Sequence, residues 1–185
     1  MPADIPAWAR AGRGHWTHTG RERPPFAIEP GPGQESVWDY PRPPKLEHMP
    51  QTIEVRHGDV LIARTTNAKR ICETASAPTV YVPPEDVDMT RLERVDGRSC
   101  CEWKGEATYW SVVVGDERLD RVAWSYPDPF APFEEVADHL SFYPAALHCT
   151  VDGERVRPQP GGFYGGWVTE AIVGPIKGEP GSGGW

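Results

Sequence analysis

The chain has 185 residues, is 38% hydrophobic, and carries a formal net charge of −8. The excess of acid and the lack of a basic run leave little to neutralise phosphates, so neither nucleic acid nor an anionic membrane surface is an expected partner. No apolar run approaches the ~20 residues that span a bilayer, and Met1-Pro2-Ala3-Asp4-Ile5-Pro6 lacks the charged-then-apolar pattern of a secretory signal, so a cytoplasmic protein is expected.

Composition is uneven along the chain. Residues 1–50 hold ten of the 21 prolines and residues 153–185 hold ten of the 19 glycines, whereas Val, Ile and Leu concentrate between them. The expected organisation is a Pro-rich N-terminal arm (1–50), a β-rich core domain (51–152) and a Gly-rich C-terminal arm (153–185). The arms contain Trp8, Trp16, Trp38, Trp167 and Trp185, five of the eight tryptophans. Disordered segments are usually poor in aromatics, so the arms are expected to lie over the core or over a second subunit. The four cysteines are Cys72, Cys100, Cys101 and Cys149. A reducing compartment argues against structural disulfides. No pair has the spacing of a zinc site, so neither a metal nor a cofactor is expected.

In chain order, Thr52 to Arg56 alternates with period two and predicts a half-buried strand. Gly58-Asp59 predicts a turn and Val60 to Ala63 the returning strand. Arg70 to Thr74 and Thr79 to Val82 predict two short strands, closed by Pro83-Pro84. The strongest hairpin runs from Ala107 to Val114, turns at Gly115-Asp116 and returns from Glu117 to Tyr126. Counted back from that turn, Tyr109 faces Val122 and Ala107 faces Trp124. Tyr109, Trp124 and Tyr126 then share one face, and Trp110, Val112 and Leu119 the other. Phe133, Val136, Ala137 and Leu140 fall at helical spacing and predict one short helix between Pro132 and Pro144. Leu147 to Val151 predicts the last strand. The fold class is mainly β, α+β at most: a small antiparallel, sandwich-like core with one short helix and two long irregular arms.

The densest chemistry lies between Cys101 and Tyr126. The succession Glu73-Thr74, Pro78-x-Val80-Tyr81, Pro83 with Asp86-Val87, Cys101-x-Trp103-Lys104-Gly105-x-Ala107-x-Tyr109-Trp110, Ala123-Trp124-x-Tyr126-x-x-Pro129 and Phe142-Tyr143 resembles the bacterial and fungal domain of unknown function 427 over residues 51–152. Glu35 to Pro41 and Gly161 to Trp167 resemble extensions in a longer subgroup of that family. The resemblance implies a small antiparallel β fold and no established activity. A nucleotidyltransferase label has been attached to the family. Nucleotidyl transfer usually needs carboxylates holding Mg²⁺ beside a phosphate-binding loop, and this chain has no Gly-Ser-x-x-x-Asp-x-Asp run and no P-loop.

Lys104 and Glu73 are the candidate catalytic residues. Burial would lower the lysine pKa and make it a base or Schiff-base nucleophile; as a cation it would hold a carboxylate or phosphate. The plainer reading is a lysine that snorkels to water. Glu73 would pair with Lys104 or act as a base, against the plainer reading of an exposed strand residue. Tyr81, Trp103, Tyr109, Trp124 and Tyr126 are the candidate ligand-binding residues, an apolar wall with polar handles, unless they are packed core. Cys101 is the best-placed thiol but has no positioned base. The expected function is binding of an unknown small metabolite around Lys104, with enzyme activity left open. The alternative is a homodimeric or protein-interaction module whose Trp-bearing arms pack across the interface.

Overall fold

A computed structural model describes residues 5–14, 16–183 and 185; Met1 to Asp4, read above for a signal pattern, His15, and Gly184 of the last glycine pair lie outside the described residues. The elements in chain order are α1 (Ala7–Gly12), β1 (Glu35–Ser36), β2 (Lys45–Met49), β3 (Ile53–His57), β4 (Val60–Thr65), β5 (Ala68–Cys72), β6 (Thr79–Tyr81), β7 (Leu92–Cys101), β8 (Gly105–Val114), β9 (Glu117–Ser125), β10 (Ser141–Phe142), β11 (His148–Val151), β12 (Glu154–Arg155), β13 (Arg157–Pro158), β14 (Trp167–Val168) and β15 (Ile172–Val173). The chain is mostly β, as predicted. No helix among the described residues is long and apolar enough to cross a membrane.

Two four-stranded antiparallel sheets, in the orders β10-β9-β8-β7 and β12-β11-β3-β4, and a three-stranded sheet, β2-β5-β6, make the framework. Ile53, Val55, Ile62 and Cys149 from one four-stranded sheet meet Val112, Ala123 and Phe142 from the other in the main core. Alternation explains it: Ile53 and Val55 are both fully buried, with Glu54 between them only partly covered. On the other side of β8 and β9, Ala107, Tyr109, Trp124 and Tyr126 gather with Ile71 and Tyr81 of the three-stranded sheet.

The Gly115-Asp116 hairpin forms, but its register is two residues from the simple count. Val112 pairs with Leu119 while Trp110 pairs with Ala123, so β9 bulges around Asp120 and Arg121, and Tyr109 faces Trp124 rather than Val122. A bulge of two leaves side-chain parity intact. The face assignment therefore holds: Trp110, Val112 and Leu119 point to the main core, and Tyr109, Trp124 and Tyr126 point away from it.

Residues 133–140 are not the predicted helix. Only one 3₁₀ turn forms, at Glu134–Val136, and Ala137 leaves it with ψ 130°. Asp138 takes a left-handed φ of 58°, and bridges from Ala137 to Tyr126 and from Leu140 to Val82 tie both ends to sheets. Phe133, Val136 and Leu140 are still buried. One turn at i, i+3 serves that purpose, and a helix this short gains too little to propagate against two strand anchors. The one α-helix, α1, lies instead in the N-terminal arm.

Both arms are built onto the core. The parallel pair β1–β15 joins them to each other. Trp38 is fully buried among Val37, Val168 and Ile176, and its indole N–H donates to the Pro175 carbonyl at 3.0 Å. Trp167 is buried in the main core and donates to the Phe142 carbonyl at 3.0 Å.

Candidate functional site

The tight turn between β7 and β8 aims the central residue. Lys104 is its last position, and Gly105, at φ 94°, begins β8 in a conformation that L side chains rarely adopt. The Lys104 carbonyl accepts from the Phe130 N–H at 3.2 Å, which fixes the turn. The side chain is then 8% exposed and lines a cavity of about 590 Å³.

That cavity brings together most of the residues singled out in the sequence: Lys104, Glu73, Tyr81, Tyr109, Trp124 and Tyr126 all line it. Trp103 does not line it. Its indole N–H instead donates to Glu73 Oε1 at 3.2 Å, so it supports the wall from behind. Glu73 does not pair with Lys104. Its Oε1 also accepts from Arg42 Nε at 3.0 Å, and the Arg42 side chain is nearly fully buried, donating further to the His18 and Thr74 carbonyls at 3.1 and 3.0 Å.

The walls are aromatic. Lys104 Nζ lies 5.7 Å from the Tyr126 ring centroid, Tyr81 is 6.4 Å from Tyr126, and Trp124 rests on Tyr143 at 4.5 Å. The Tyr109 hydroxyl is bonded to Ser99 Oγ at 2.7 Å, and Arg121 covers its ring at 4.3 Å. Tyr81 OH and Trp16 Nε1, of residues on this lining, have no hydrogen-bond partner among the described residues and are closed off from solvent.

The charge state of Lys104 reverses one expectation. Burial, the largest influence, favours the neutral amine, but attraction to Tyr81, Cys101 and Tyr126 as they ionise, and to the Glu73 carboxylate, outweighs it and raises Lys104 well above the ordinary lysine range. Burial pushes Tyr81 up to about 12 and raises Tyr126 well above the usual phenol range. At neutral pH the phenols keep their protons, and the Glu73 carboxylate favours the ammonium. Among the described residues Lys104 makes no ion pair; the carboxylate at Glu73 is taken by Arg42. Lys104 is a fixed cation rather than the depressed base that burial alone predicts.

Sequence reasoning missed the roof. Trp16 from the N-terminal arm, with Gln159, the 162–166 segment and Lys177 from the C-terminal arm, partly covers the cavity, which stays open to solvent. Lys177 Nζ lies 4.1 Å and Arg42 Cζ 4.0 Å from the Trp16 ring centroid. Five tryptophans in the arms signalled packing, but nothing local to Lys177 signals a site. Among the described residues, no group of three His, Cys, Asp or Glu side chains is arranged to hold a metal.

No curated protein matches the chain. The family model described as Domain of unknown function (DUF427) matches residues 45–157. That span contains the floor and walls of the cavity, Glu73, Tyr81, Lys104, Tyr109, Trp124 and Tyr126, while Trp16, the 162–166 segment and Lys177 of the roof lie outside it. The match covers more than half of the chain, which belongs to the domain of unknown function 427 family.

Proposed function

We propose that this protein binds a small anionic metabolite in the cavity around Lys104. The observation that carries the reading is a buried ammonium with no ion-pair partner, set in an aromatic cavity of about 590 Å³. An isolated buried charge is costly, and a ligand carboxylate or phosphate would complete it. Tyr109, Trp124 and Tyr126 would cover a flat or apolar body. Arg121 adds positive charge, and Arg42 already neutralises Glu73. Among the described residues Glu73 Oε2 makes no hydrogen bond, which leaves it to accept one from a bound molecule. The interaction-module alternative is weaker, because Trp38 and Trp167 are buried in the chain's own core. A cytoplasmic location belongs to this reading: all four cysteines are free thiols, and two of them are buried.

Native mass spectrometry of the freshly purified full chain, followed by calorimetric titration with benzoate and phosphate, tests the proposal. The expected result is a bound anion whose affinity falls at least about tenfold, roughly 1.4 kcal/mol, in Lys104→Gln. Affinity unchanged in both Lys104→Gln and Trp124→Ala would refute the site.

A further inference from the structure

Building on the anion-binding reading, we infer that Lys177 forms an imine with the ligand, which is then a small aldehyde or ketone bearing a carboxylate or phosphate. The chain has four lysines. Lys45 is paired with Glu47 at 2.8 Å and Lys69 with Glu135 at 3.1 Å. The two without ion pairs among the described residues, Lys104 and Lys177, line the same cavity.

Their environments differ. Lys177 is held by its backbone: its N–H donates to the Ala75 carbonyl at 2.7 Å, and its carbonyl accepts from Gln159 Nε2 at 2.9 Å. The amine rests on Trp16 at 4.1 Å and near Tyr164 at 5.4 Å. Arg42 presses on the same Trp16 ring at 4.0 Å, so two cations crowd one aromatic. Arginine cannot give up its proton, and this one is clamped by Glu73; the proton that can leave is on Lys177. Burial first, then repulsion from Arg42, holds Lys177 below the ordinary lysine range, against the weaker pull of Glu73 and Glu102. A half-buried amine beside a fixed cation is the standard way to prepare a lysine nucleophile.

In the condensation, the free amine nitrogen attacks the carbonyl carbon and a C–N bond forms. The carbonyl oxygen then departs as water with the two amine hydrogens, leaving C=N. Lys104 would hold the ligand's anion during this step, as a cation that does not itself react.

The test uses the full chain with 4-formylbenzoate, which carries an aldehyde, a ring and a carboxylate. Borohydride traps any imine as a secondary amine, and peptide mass mapping locates it. Lys177 is expected to carry the label on the order of tenfold above Lys45 and Lys69, because it offers more free amine at neutral pH. Lys177→Arg should lose the preferential label, and benzoate should protect Lys177 in the native chain. Labelling of Lys177 no greater than that of Lys45 and Lys69 would overturn the inference, yet leave the anion site standing if benzoate binding still depends on Lys104. Benzoate binding independent of Lys104 would remove the anion site, and the inference with it.

Discussion

Gly165→Ala probes the contact that seats the roof on the wall. A Cβ at Gly165 would lie 2.0 Å from Trp124 Cη2, 2.7 Å from Cζ3 and 3.0 Å from Cζ2. Carbon atoms rest about 3.5–4.0 Å apart, so ring and roof must separate by about 1.5 Å. Trp124 is only 7% exposed and already lies against Tyr143 at 4.5 Å. The strain is relieved either by pushing the indole into the cavity or by lifting the 162–166 segment. Overpacking of this kind costs about 1–3 kcal/mol, roughly 2–10 °C in Tm for a chain of this size. Both routes deform the cavity, so benzoate affinity should fall with stability. Gly183→Ala, where an added Cβ meets nothing within 4 Å, is the control and should stay within about 0.5 kcal/mol of the native chain. Urea unfolding followed by far-UV circular dichroism gives the stabilities, and calorimetry gives the affinities. If Gly165→Ala matches Gly183→Ala in both, the 162–166 segment does not rest on Trp124 and this description of the cavity is wrong.

Arg42→Met should cost about 3 kcal/mol, because it leaves Glu73 and two backbone carbonyls without their buried donor; urea unfolding checks this, and a loss under about 0.5 kcal/mol would contradict the clamp. Alkaline pH should unfold the protein early. Burial pushes the Cys72 and Cys149 thiols from 9.0, and the Tyr81 and Tyr143 phenols from 10.0, up to about 12. The unfolded chain loses these protons first, so stability falls between about pH 9 and 12 and is unaffected by these groups below that window. The urea midpoint should be level from pH 7 to 8.5 and lower at pH 11; equal midpoints at pH 8 and 11 would contradict the burial of these groups.

The hairpin was legible because Gly115-Asp116 punctuates two long apolar runs. Its face assignment survived the unforeseen bulge because a shift of two residues preserves parity. The 133–140 segment misled because one turn of i, i+3 spacing is common to a short helix and to a 3₁₀ turn pinned between strands. β7 was invisible for a different reason. Its sequence, Leu-Glu-Arg-Val-Asp-Gly-Arg-Ser-Cys-Cys, has little apolar alternation, because it is an edge strand with most of its side chains exposed. β2 likewise pairs with β5 despite lying among prolines. In the site, Lys104 and its aromatic neighbours sit within one hairpin and one adjoining turn, where spacing carries information. Trp16 and Lys177 reach the same cavity from distant segments, with Arg42 behind them on Trp16 and Glu73, and no local pattern encodes such a meeting. The sequence left Lys104 either a depressed base or a cation, because burial alone does not decide a pKa: its neighbours raise Lys104, whereas burial and Arg42 lower Lys177.

The parallel ladder between β1 and β15 has a kinetic consequence. It joins Glu35 to Ile172 and Ser36 to Val173, a closure that must wait for everything between to fold, because long loops are entropically slow to close. The hairpins β3–β4 and β8–β9 are local and can form before it. The segments held by the two-residue ladders β1–β15 and β13–β14 are therefore expected to open before the four-stranded sheets in hydrogen exchange. Trp38 and Trp167, both buried, are the anchors that such opening must withdraw.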